Sequence, residues 1–596
     1  MTGFKNDIHR ILLFVKYNRG HLPSWRIRMN PDKQSIRTIL TLLVFISVLG
    51  YVFSYFNYFE TPSSDYIGNF IPQVADYMNG HFPGDQFKIL PLYPAILAVL
   101  TPLNQIRADD PVYLTAIVLN FILFIPYLVI VYRIFRMYLD EWTGLASLMY
   151  LSVNIYTVYT AVNAELEMLL SLLCVSGIYL SMKGSRFSYA AAFLAGITKY
   201  DAIFMIPAVM FGDFIKRKRR ILSILLGSAA ASGILVWLVI SAMKSTNTNV
   251  YVSEIAHRGP NIYRFPIDCL LIVSGFIQWM GLEGYYASTR IVAIPRYFIA
   301  ALFLIFSSVC TIWGCILFIK KHRRTGEPIL IFFAGFLTIH MIYQNTKDRY
   351  VLPILWVLVL FLFIGLSDGL YPFLKELIFR IPPLFRRVII SISLTAAGIL
   401  FIWSSSMLVS DSSYNALIYS AVMSALSAAA LFMFFSSRNR ILLVFLILLS
   451  SGSINLQVHY GVHAMDHHSL SRVEFKQAAL WYRENYQPGD KMFIAEVSLP
   501  MYYSKLPRAS YVDPGEITSI DLIDLIEESR VRKITYIFVD DFYIRRLKVG
   551  DRNAIDRKAA LFKEVRDNGT KSGHFELINH YTIKGNKHSY LFRFNP

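Results

Sequence analysis

The chain has 596 residues, of which 55% are hydrophobic and only 16% are charged, and its mean hydropathy is +0.45. Soluble domains carry about 25% charged residues, so this composition excludes an ordinary soluble protein and predicts a membrane protein. The net charge of +18 does not indicate a nucleic-acid partner, because much of it lies in short basic clusters beside apolar runs. Such clusters are typical of cytoplasmic loops.

Apolar runs and basic clusters together predict a polytopic α-helical membrane protein with about thirteen membrane-spanning helices. Residues 1–36 form a basic N-terminus that we expect in the cytoplasm, and residues 37–457 form the membrane domain. External loops are expected at 57–111 and 244–295, the second with an apolar interfacial stretch at 266–282. Single crossings are predicted at 38–57, 112–132, 143–161, 166–182, 221–243, 297–319, 328–345, 349–366, 388–409, 413–435 and 441–457.

The segment 187–214 is flanked by basic residues on both sides, so both of its ends should be cytoplasmic. Because one spanning helix takes about 20 residues, this segment must hold two short or broken helices. We expect the turn at 198–201, where Lys199 and Asp201 must face protein or water and not lipid.

The first external loop contains Asp65 and, further on, the sequence KILPLYP from Lys88 to Pro94. Apolar residues at helical spacing, among them Ile67 and Phe70, predict helices that lie along the membrane surface. Pro72 predicts a break between two pieces, the second of which ends at Asn79-Gly80.

Residues 458–596 change to mixed polar sequence and predict an extracytoplasmic α/β domain. Strands are predicted at 491–497, 534–539, 574–579 and 589–594. Helices are predicted at 479–485, 520–529 and 554–565, with Thr518 and Ser519 as caps of the second. No glycine-rich phosphate loop is present, so we expect no nucleotide to bind.

Three carboxylates in the external loops are candidates for a general base, which accepts the proton of an attacking hydroxyl. They are Asp65 in the first loop and Glu165 and Glu167 in the next. Each has a structural alternative. Asp65 can cap the surface helix, and the two glutamates suit the positive end of the helix that follows them.

A phosphate leaving group needs cations or hydrogen-bond donors around its oxygens. Candidates on the external side are Lys88, Tyr93, His257, Arg258, Arg349 and Tyr350. Alternatively, Lys88 can place its ammonium group at the membrane interface, and Arg349 can be an ordinary interfacial anchor.

Histidines at the start of the C-terminal domain have a spacing that suits a metal. His459 and His463 are four residues apart, with His467 beyond them, so two imidazoles can share one helix face and hold zinc. A polar connection between the two domains explains them equally well. We therefore predict that the protein requires no cofactor, with a divalent metal as the alternative.

The order of these motifs resembles the GT-C superfamily of polyprenyl-phosphate-sugar-dependent glycosyltransferases, including the protein O-mannosyltransferases and the aminoarabinose lipid A transferases. The resemblance rests on Asp65, KILPLYP, the glutamate-bearing NAELEML loop, AGITKY and DRYVLP, and it covers about residues 36–370. It implies that Asp65 and one of the two glutamates are catalytic. It also implies that Lys88, Arg349 and Tyr350 lie near the lipid phosphate. Many relatives have Asp-Glu at the first motif, where this chain has Asp65-Tyr66.

These inferences predict a multi-pass enzyme of the cell membrane with its N-terminus in the cytoplasm. It would pass a monosaccharide, with inversion, from a polyprenyl-phosphate carrier to an acceptor glycan, lipid or protein at the external face. Its partners would be these substrates and membrane lipids, and not nucleic acid. A transporter or flippase of polyprenyl-linked sugars is the main alternative, because Lys199 and Asp201 are charged residues within the membrane domain. An inactive scaffold that binds glycolipid is a third.

Overall fold

The computed structural model describes residues 31–56, 61–63, 66–82, 89–104, 110–217, 219–244, 263–273, 290–342, 348–373, 472–540, 554–583 and 587–596, with isolated positions 376, 382 and 544. The chain divides into two compact units at the Ile46/Ser47 boundary, and the candidate site and the sheet both belong to the second. The crossings predicted between 388 and 457 lie outside the described residues.

The membrane part consists of helices that follow the predicted apolar runs. Among the described residues, four helices are long and apolar enough to cross a membrane, or five if one bent pair is a single span. The predicted total of thirteen therefore stays a prediction. The helices are Pro31–Phe53, Ile71–Met78, Leu92–Leu100, Pro111–Tyr138, Glu141–Val153, Ile155–Val162, Glu167–Lys183, Phe187–Gly196, Met205–Phe211, Arg220–Lys244, Arg264–Val273, Arg290–His322, Glu327–Ile342 and Leu352–Ile364.

The crossing predicted at 143–161 coincides with this bent pair of helices. Helices Glu141–Val153 and Ile155–Val162 meet at an angle of 60°. Asn154 causes the break, because its side-chain oxygen accepts the Tyr156 N–H at 3.1 Å and caps the second helix. Its amide also donates to the Ile272 carbonyl at 3.0 Å.

The predicted hairpin at 187–214 is confirmed as two short helices, Phe187–Gly196 and Met205–Phe211. Between them, a turn and the 3₁₀-helix Tyr200–Phe204 reverse the chain. The backbone N–H of Leu92 donates to the Ile197 carbonyl at 3.2 Å, which ties this turn to the KILPLYP segment.

The helix Leu352–Ile364 lies at the centre of the membrane part, and every one of its residues is buried. Two glycines let it approach the helix Arg290–His322 closely. A Cβ on Gly314 would lie 1.7 Å from the Phe361 carbonyl oxygen, and one on Gly365 would lie 1.9 Å from the Cys310 carbonyl oxygen. Any larger residue at either position would separate the two backbones.

The C-terminal domain contains a five-stranded sheet in the order β2-β1-β3-β5-β4. The strands are β1 Met492–Ile494, β2 Tyr511–Val512, β3 Tyr536–Asp540, β4 Phe575–Ile583 and β5 Lys587–Phe594. β1 pairs in parallel with β2 and β3, whereas β5 is antiparallel to β3 and β4. Alternation along β3 sends Ile537 into one apolar cluster and Phe538 into the other, so both faces of the sheet are covered.

The helices of this domain are Val473–Asn485, Ser498–Ser504, Leu522–Arg532 and Ala554–Asn568. The strand predicted at 491–497 is wrong beyond Ile494, because the chain turns into the helix Ser498–Ser504. The predicted caps Thr518 and Ser519 are also wrong. Asp521 caps the helix Leu522–Arg532 by accepting the Asp524 N–H at 2.9 Å.

Residues 66–82, which we call the first-loop segment, begin with a π-helical turn, Tyr66–Phe70, and continue as the helix Ile71–Met78. Pro72 occupies the first turn of that helix, where its missing N–H costs nothing. The prediction of a face lying along the membrane needs correction. Ile67 and Phe70 are 6% exposed, and Ile67 packs into an apolar cluster of the C-terminal domain.

Candidate functional site: an ion cluster beside the acidic loop

Several of the predicted site residues lie outside the described residues: Asp65, Lys88, His257, Arg258 and the three histidines His459, His463 and His467. Arg349 is described only as backbone of the 3₁₀-turn Asp348–Val351. The side chains that remain are those of Tyr93, Glu165, Glu167 and Tyr350.

The loop that carries Glu165 is fixed by one buried asparagine. Asn120, inside the helix Pro111–Tyr138, donates its amide to the carbonyls of Asn163 at 2.6 Å and Glu165 at 2.7 Å. Its side-chain oxygen accepts the Tyr93 hydroxyl at 3.4 Å. Glu165 is 3% exposed, and one of its carboxylate oxygens accepts the Tyr159 hydroxyl at 3.5 Å. Tyr93 and Glu165 thus belong to one hydrogen-bonded network, as two side chains of a single site require.

Glu167 and Tyr350 meet through Lys199. The ammonium nitrogen of Lys199 lies 3.6 Å from Glu167 Oε1 and 3.2 Å from Asp201 Oδ2. It also lies 3.9 Å from the centre of the Tyr350 ring, which is close enough for a cation–π interaction. Lys199 can reach both partners because it has left the helix at Gly196 and has an extended backbone.

His340 completes this group from the helix Glu327–Ile342. Its Nε2 lies 3.4 Å from Asp201 Oδ2, and its Nδ1 lies 2.9 Å from the Phe336 carbonyl oxygen. The ring is sandwiched between Phe265 and Phe336, with centroids 4.6 Å and 4.5 Å away. Since a carbonyl oxygen only accepts, Nδ1 carries a proton.

We call Glu167, Lys199, Asp201 and His340 the ion cluster. Its members come from different helices and turns, and the ammonium group of Lys199 lies between two carboxylates. Charges this deep in a helical membrane protein are costly unless they are paired, and they occur mainly at functional sites. The cluster therefore holds the ammonium group of Lys199 beside Glu167, which is two residues beyond Glu165. The same group lies directly beside the Arg349-Tyr350 turn.

Lys199 and Asp201 are recognisable in the sequence as charges within the membrane domain, but there they favour the transporter alternative. It did not single out His340. The available signal was an ionisable residue within the apolar run 328–345, which is unusual in a membrane helix. Asn120 offered no comparable signal, because one amide within an apolar helix does not reveal its distant partners.

The N-terminal end of the helix Pro111–Tyr138 meets the C-terminal domain at a polar contact. The Tyr502 hydroxyl donates to the Asp110 carboxylate, whose other oxygen accepts the Tyr113 N–H at 3.0 Å. Burial raises the pKa of Asp110, although the hydrogen bond from Tyr502 acts in the opposite direction. Tyr66 stands beside this contact, and its ring centroid is 5.7 Å from that of Tyr113.

No family model and no curated protein matches this sequence. Comparison with solved structures finds ArnT from Cupriavidus metallidurans bound to undecaprenyl phosphate, with a TM-score of 0.52 and 11% identity, covering 94% of this chain and 98% of that one. The protein has the GT-C fold. A structure of the Archaeoglobus fulgidus oligosaccharyltransferase AglB with an inhibitory peptide and a dolichol-phosphate also matches, with a TM-score of 0.48 and 10% identity, covering 94% of this chain and 74% of that one. The likeness to ArnT confirms the fold predicted from the sequence motifs.

Metal ligands do not converge within the described part of the GT-C fold, where no group of three His, Cys, Asp or Glu side chains could hold an ion. The four cysteines are free thiols, three of them buried. The histidines for which a metal was considered lie outside the described residues, so that alternative stays open.

Proposed function

We propose that the protein is a glycosyltransferase that moves a monosaccharide from a polyprenyl-phosphate carrier to an acceptor hydroxyl or amine at the external face of the membrane. Asp65 would serve as the base. The acceptor would be a glycan, lipid or protein of the cell envelope. The orientation follows from the basic clusters: the N-terminus would be cytoplasmic and the C-terminal domain external.

One observation carries this proposal. A chain with the fold of ArnT, which was solved with undecaprenyl phosphate, holds Lys199 over the ring of Tyr350 at 3.9 Å. Tyr350 directly follows Arg349 in the sequence, so the turn beside Lys199 carries a second cationic residue. A buried ammonium and a guanidinium are suitable partners for a lipid phosphate.

The chemistry is a single displacement at the anomeric carbon. The acceptor oxygen or nitrogen forms the new bond as its proton passes to Asp65. The bond from the anomeric carbon to the phosphate oxygen breaks, and its electron pair leaves with polyprenyl phosphate. The departing phosphate gains one negative charge, which Lys88, Arg349 and Lys199 would stabilise, so no general acid is needed. Attack from one face gives inversion.

The test uses the full chain in lipid nanodiscs with synthetic polyprenyl-phosphate sugars, and it measures release of polyprenyl phosphate. We expect Asp65→Asn to lower release at least about a hundredfold, because general-base catalysis contributes about 10² to 10⁴ in rate. Asp76→Asn is the matched control, since Asp76 is another carboxylate of the predicted external loop 57–111, and it should retain activity. Full release by Asp65→Asn would remove Asp65 from the mechanism.

A second candidate is a flippase of polyprenyl-linked sugars, which the ion cluster favours because proton-coupled transporters use buried chains of ionisable residues. Fluorescent donor in proteoliposomes distinguishes the two. A flippase would move the donor between leaflets and leave its sugar–phosphate bond intact. Translocation without any release or transfer would replace the enzyme proposal with this one.

A further inference from the structure

A cavity of 420 Å³ opens in the C-terminal domain where β1 and β2 end. The two strands are parallel, so the cavity lies at their carboxyl ends, where open α/β sheets commonly bind ligands. β2 lies on one side of β1 in the sheet, and the chain then crosses over to form β3 on the other side of β1. Side chains along its wall include Val497, Ser498, Met501, Arg508, Asp513 and Pro514.

The polar side of this cavity is organised by Arg508. Its guanidinium donates to Asp513 Oδ2 at 2.9 Å and to the Tyr511 carbonyl at 2.7 Å, and it also bonds to Glu516. Two carboxylates therefore offset its charge, and an anion gains little by entering. The Arg508 guanidinium, the Asp513 carboxylate and the Ser498 hydroxyl instead offer hydrogen-bond donors and acceptors side by side. This arrangement suits a ligand that carries hydroxyl groups on neighbouring atoms.

The other side of the cavity is apolar, with Val497, Met501 and Pro514 in its wall. A ligand with hydroxyls on one side and C–H groups on the other would match both sides. A sugar ring has this character, and small-ligand cavities span about 300–1,000 Å³. The cavity therefore fits one or two sugar units better than a peptide strand or a lipid chain.

The cavity also lies beside the first-loop segment. A Cβ on Gly68 would lie 4.0 Å from Ser498 Oγ. Gly68 is three positions along the chain from Asp65, and three residues of chain span at most about 11 Å. Ile67 packs into the apolar cluster that includes Leu499. This buried side chain stabilises the contact between Gly68 and Ser498. A sugar in the cavity would thus lie next to the first-loop segment that leads to Asp65.

We propose that this cavity binds a sugar unit of the acceptor and holds its reacting hydroxyl near Asp65. The assignment rests on the proposed glycosyltransferase function and adds a substrate class to it, namely a saccharide acceptor. Asp513 and Arg508 bind the hydroxyls, and Met501 packs against the ring.

The experiment uses the full chain in nanodiscs with methyl glycosides of mannose, glucose, galactose and N-acetylglucosamine as probes, at millimolar concentration. Saturation-transfer NMR measures binding. We expect at least one glycoside to bind, and Asp513→Asn to weaken that binding about tenfold, because the sugar loses a hydrogen bond to a charged carboxylate. Gly515→Leu, which adds a side chain to the cavity wall, should weaken it as well. Asp524→Asn, the same change on an exposed helix of the same domain, should not.

The two proposals fail in different ways. If no glycoside binds, or if both cavity variants bind like wild type, the cavity proposal is overturned whatever happens to the donor. If the cavity variants lose glycoside binding and raise the acceptor KM while acceptor-independent donor release stays constant, it is supported. Glycoside binding in a protein that never releases polyprenyl phosphate would overturn the acceptor assignment together with the enzyme proposal.

Discussion

The ion cluster of the membrane part and the Arg508 group of the C-terminal domain both alternate positive and negative charges, but their burial differs. In the ion cluster, the side chains of His340 and Glu167 are 2% and 4% exposed, and those of Lys199 and Asp201 are 17% and 20% exposed. Those of Arg508 and Asp513 are 47% and 39% exposed. Water can therefore replace a lost partner more readily in the Arg508 group than in the ion cluster. Charge pairing therefore orients and constrains the side chains of the ion cluster, whereas it leaves the Arg508 group open to a ligand.

Lys199→Met should have the largest effect on activity and stability. It leaves Glu167 and Asp201 buried without their shared cation, which costs about 3–5 kcal/mol for a buried pair. We expect transfer to be lost, with a lower thermal midpoint of the detergent-purified protein. Lys320→Met, at the exposed basic end of the helix Arg290–His322, is the matched control and should be close to wild type. Normal transfer by Lys199→Met would show that the ion cluster has no part in the site.

His340→Leu should have the next largest effect. Leucine can pack between the rings of Phe265 and Phe336, but it leaves Asp201 with Lys199 as its remaining cluster partner. We expect the donor kcat/KM to fall about tenfold, which corresponds to about 1.4 kcal/mol, while the protein stays folded. His322→Leu is the control, because that histidine also lies against aromatic rings, those of Tyr138 and Phe318. Equal losses in both variants would indicate a packing effect only.

Glu528→Gln gives an intermediate case in the C-terminal domain, because the Glu528 side chain is 11% exposed. Burial acts to raise the pKa of Glu528, but hydrogen bonds from Ser519, Thr518 and Arg532 lower it to about 2. A lowered pKa stabilises the fold above the unfolded value and stops doing so as the pH falls toward 2. We expect the substitution to cost about 1–2 kcal/mol at pH 7.

The measurement is the thermal midpoint of the C-terminal domain between pH 7 and pH 2.5. The difference between wild type and Glu528→Gln should shrink as the pH falls. A difference that is constant over this range would mean that the carboxylate charge is not the stabilising feature.

Arg530→Ala should have the smallest effect. Arg530 pairs with Glu527 at 2.7 Å across one helix turn, but the two side chains are 40% and 68% exposed. Such pairs contribute less than about 0.5 kcal/mol. The unfolding midpoint should be unchanged within error, and a loss of several degrees would contradict the contrast drawn between buried and exposed pairs.

The sequence was informative where one local pattern determines one element. Basic residues on both sides of 187–214 required the hairpin, and apolar runs located most of the helices. It was less informative where distant groups decide the outcome. At the bend, Asn154 also bonds to the Ile272 carbonyl, 118 residues away. Ile67 faces the C-terminal domain because Leu499 and its neighbours cover it.

The candidate site shows the same limit. Glu167, Lys199 and Tyr350 were each noticed in the sequence, but no spacing rule brings together residues so far apart along the chain. The pairing of Lys199 with Glu167 and Tyr350 depends on how the helices pack. Likewise, β2 has only two residues, too few for any alternating pattern to reveal, and the cavity beside it could not be foreseen.

The most direct test of the account is whether wild-type protein in nanodiscs releases polyprenyl phosphate from a panel of polyprenyl-phosphate sugars when a saccharide acceptor is supplied. Chromatography of the lipid products, with mass detection, measures it. The account predicts acceptor-dependent release from at least one donor, with the sugar recovered on the acceptor in inverted configuration. Intact donor throughout, for every sugar and acceptor tried, would contradict it.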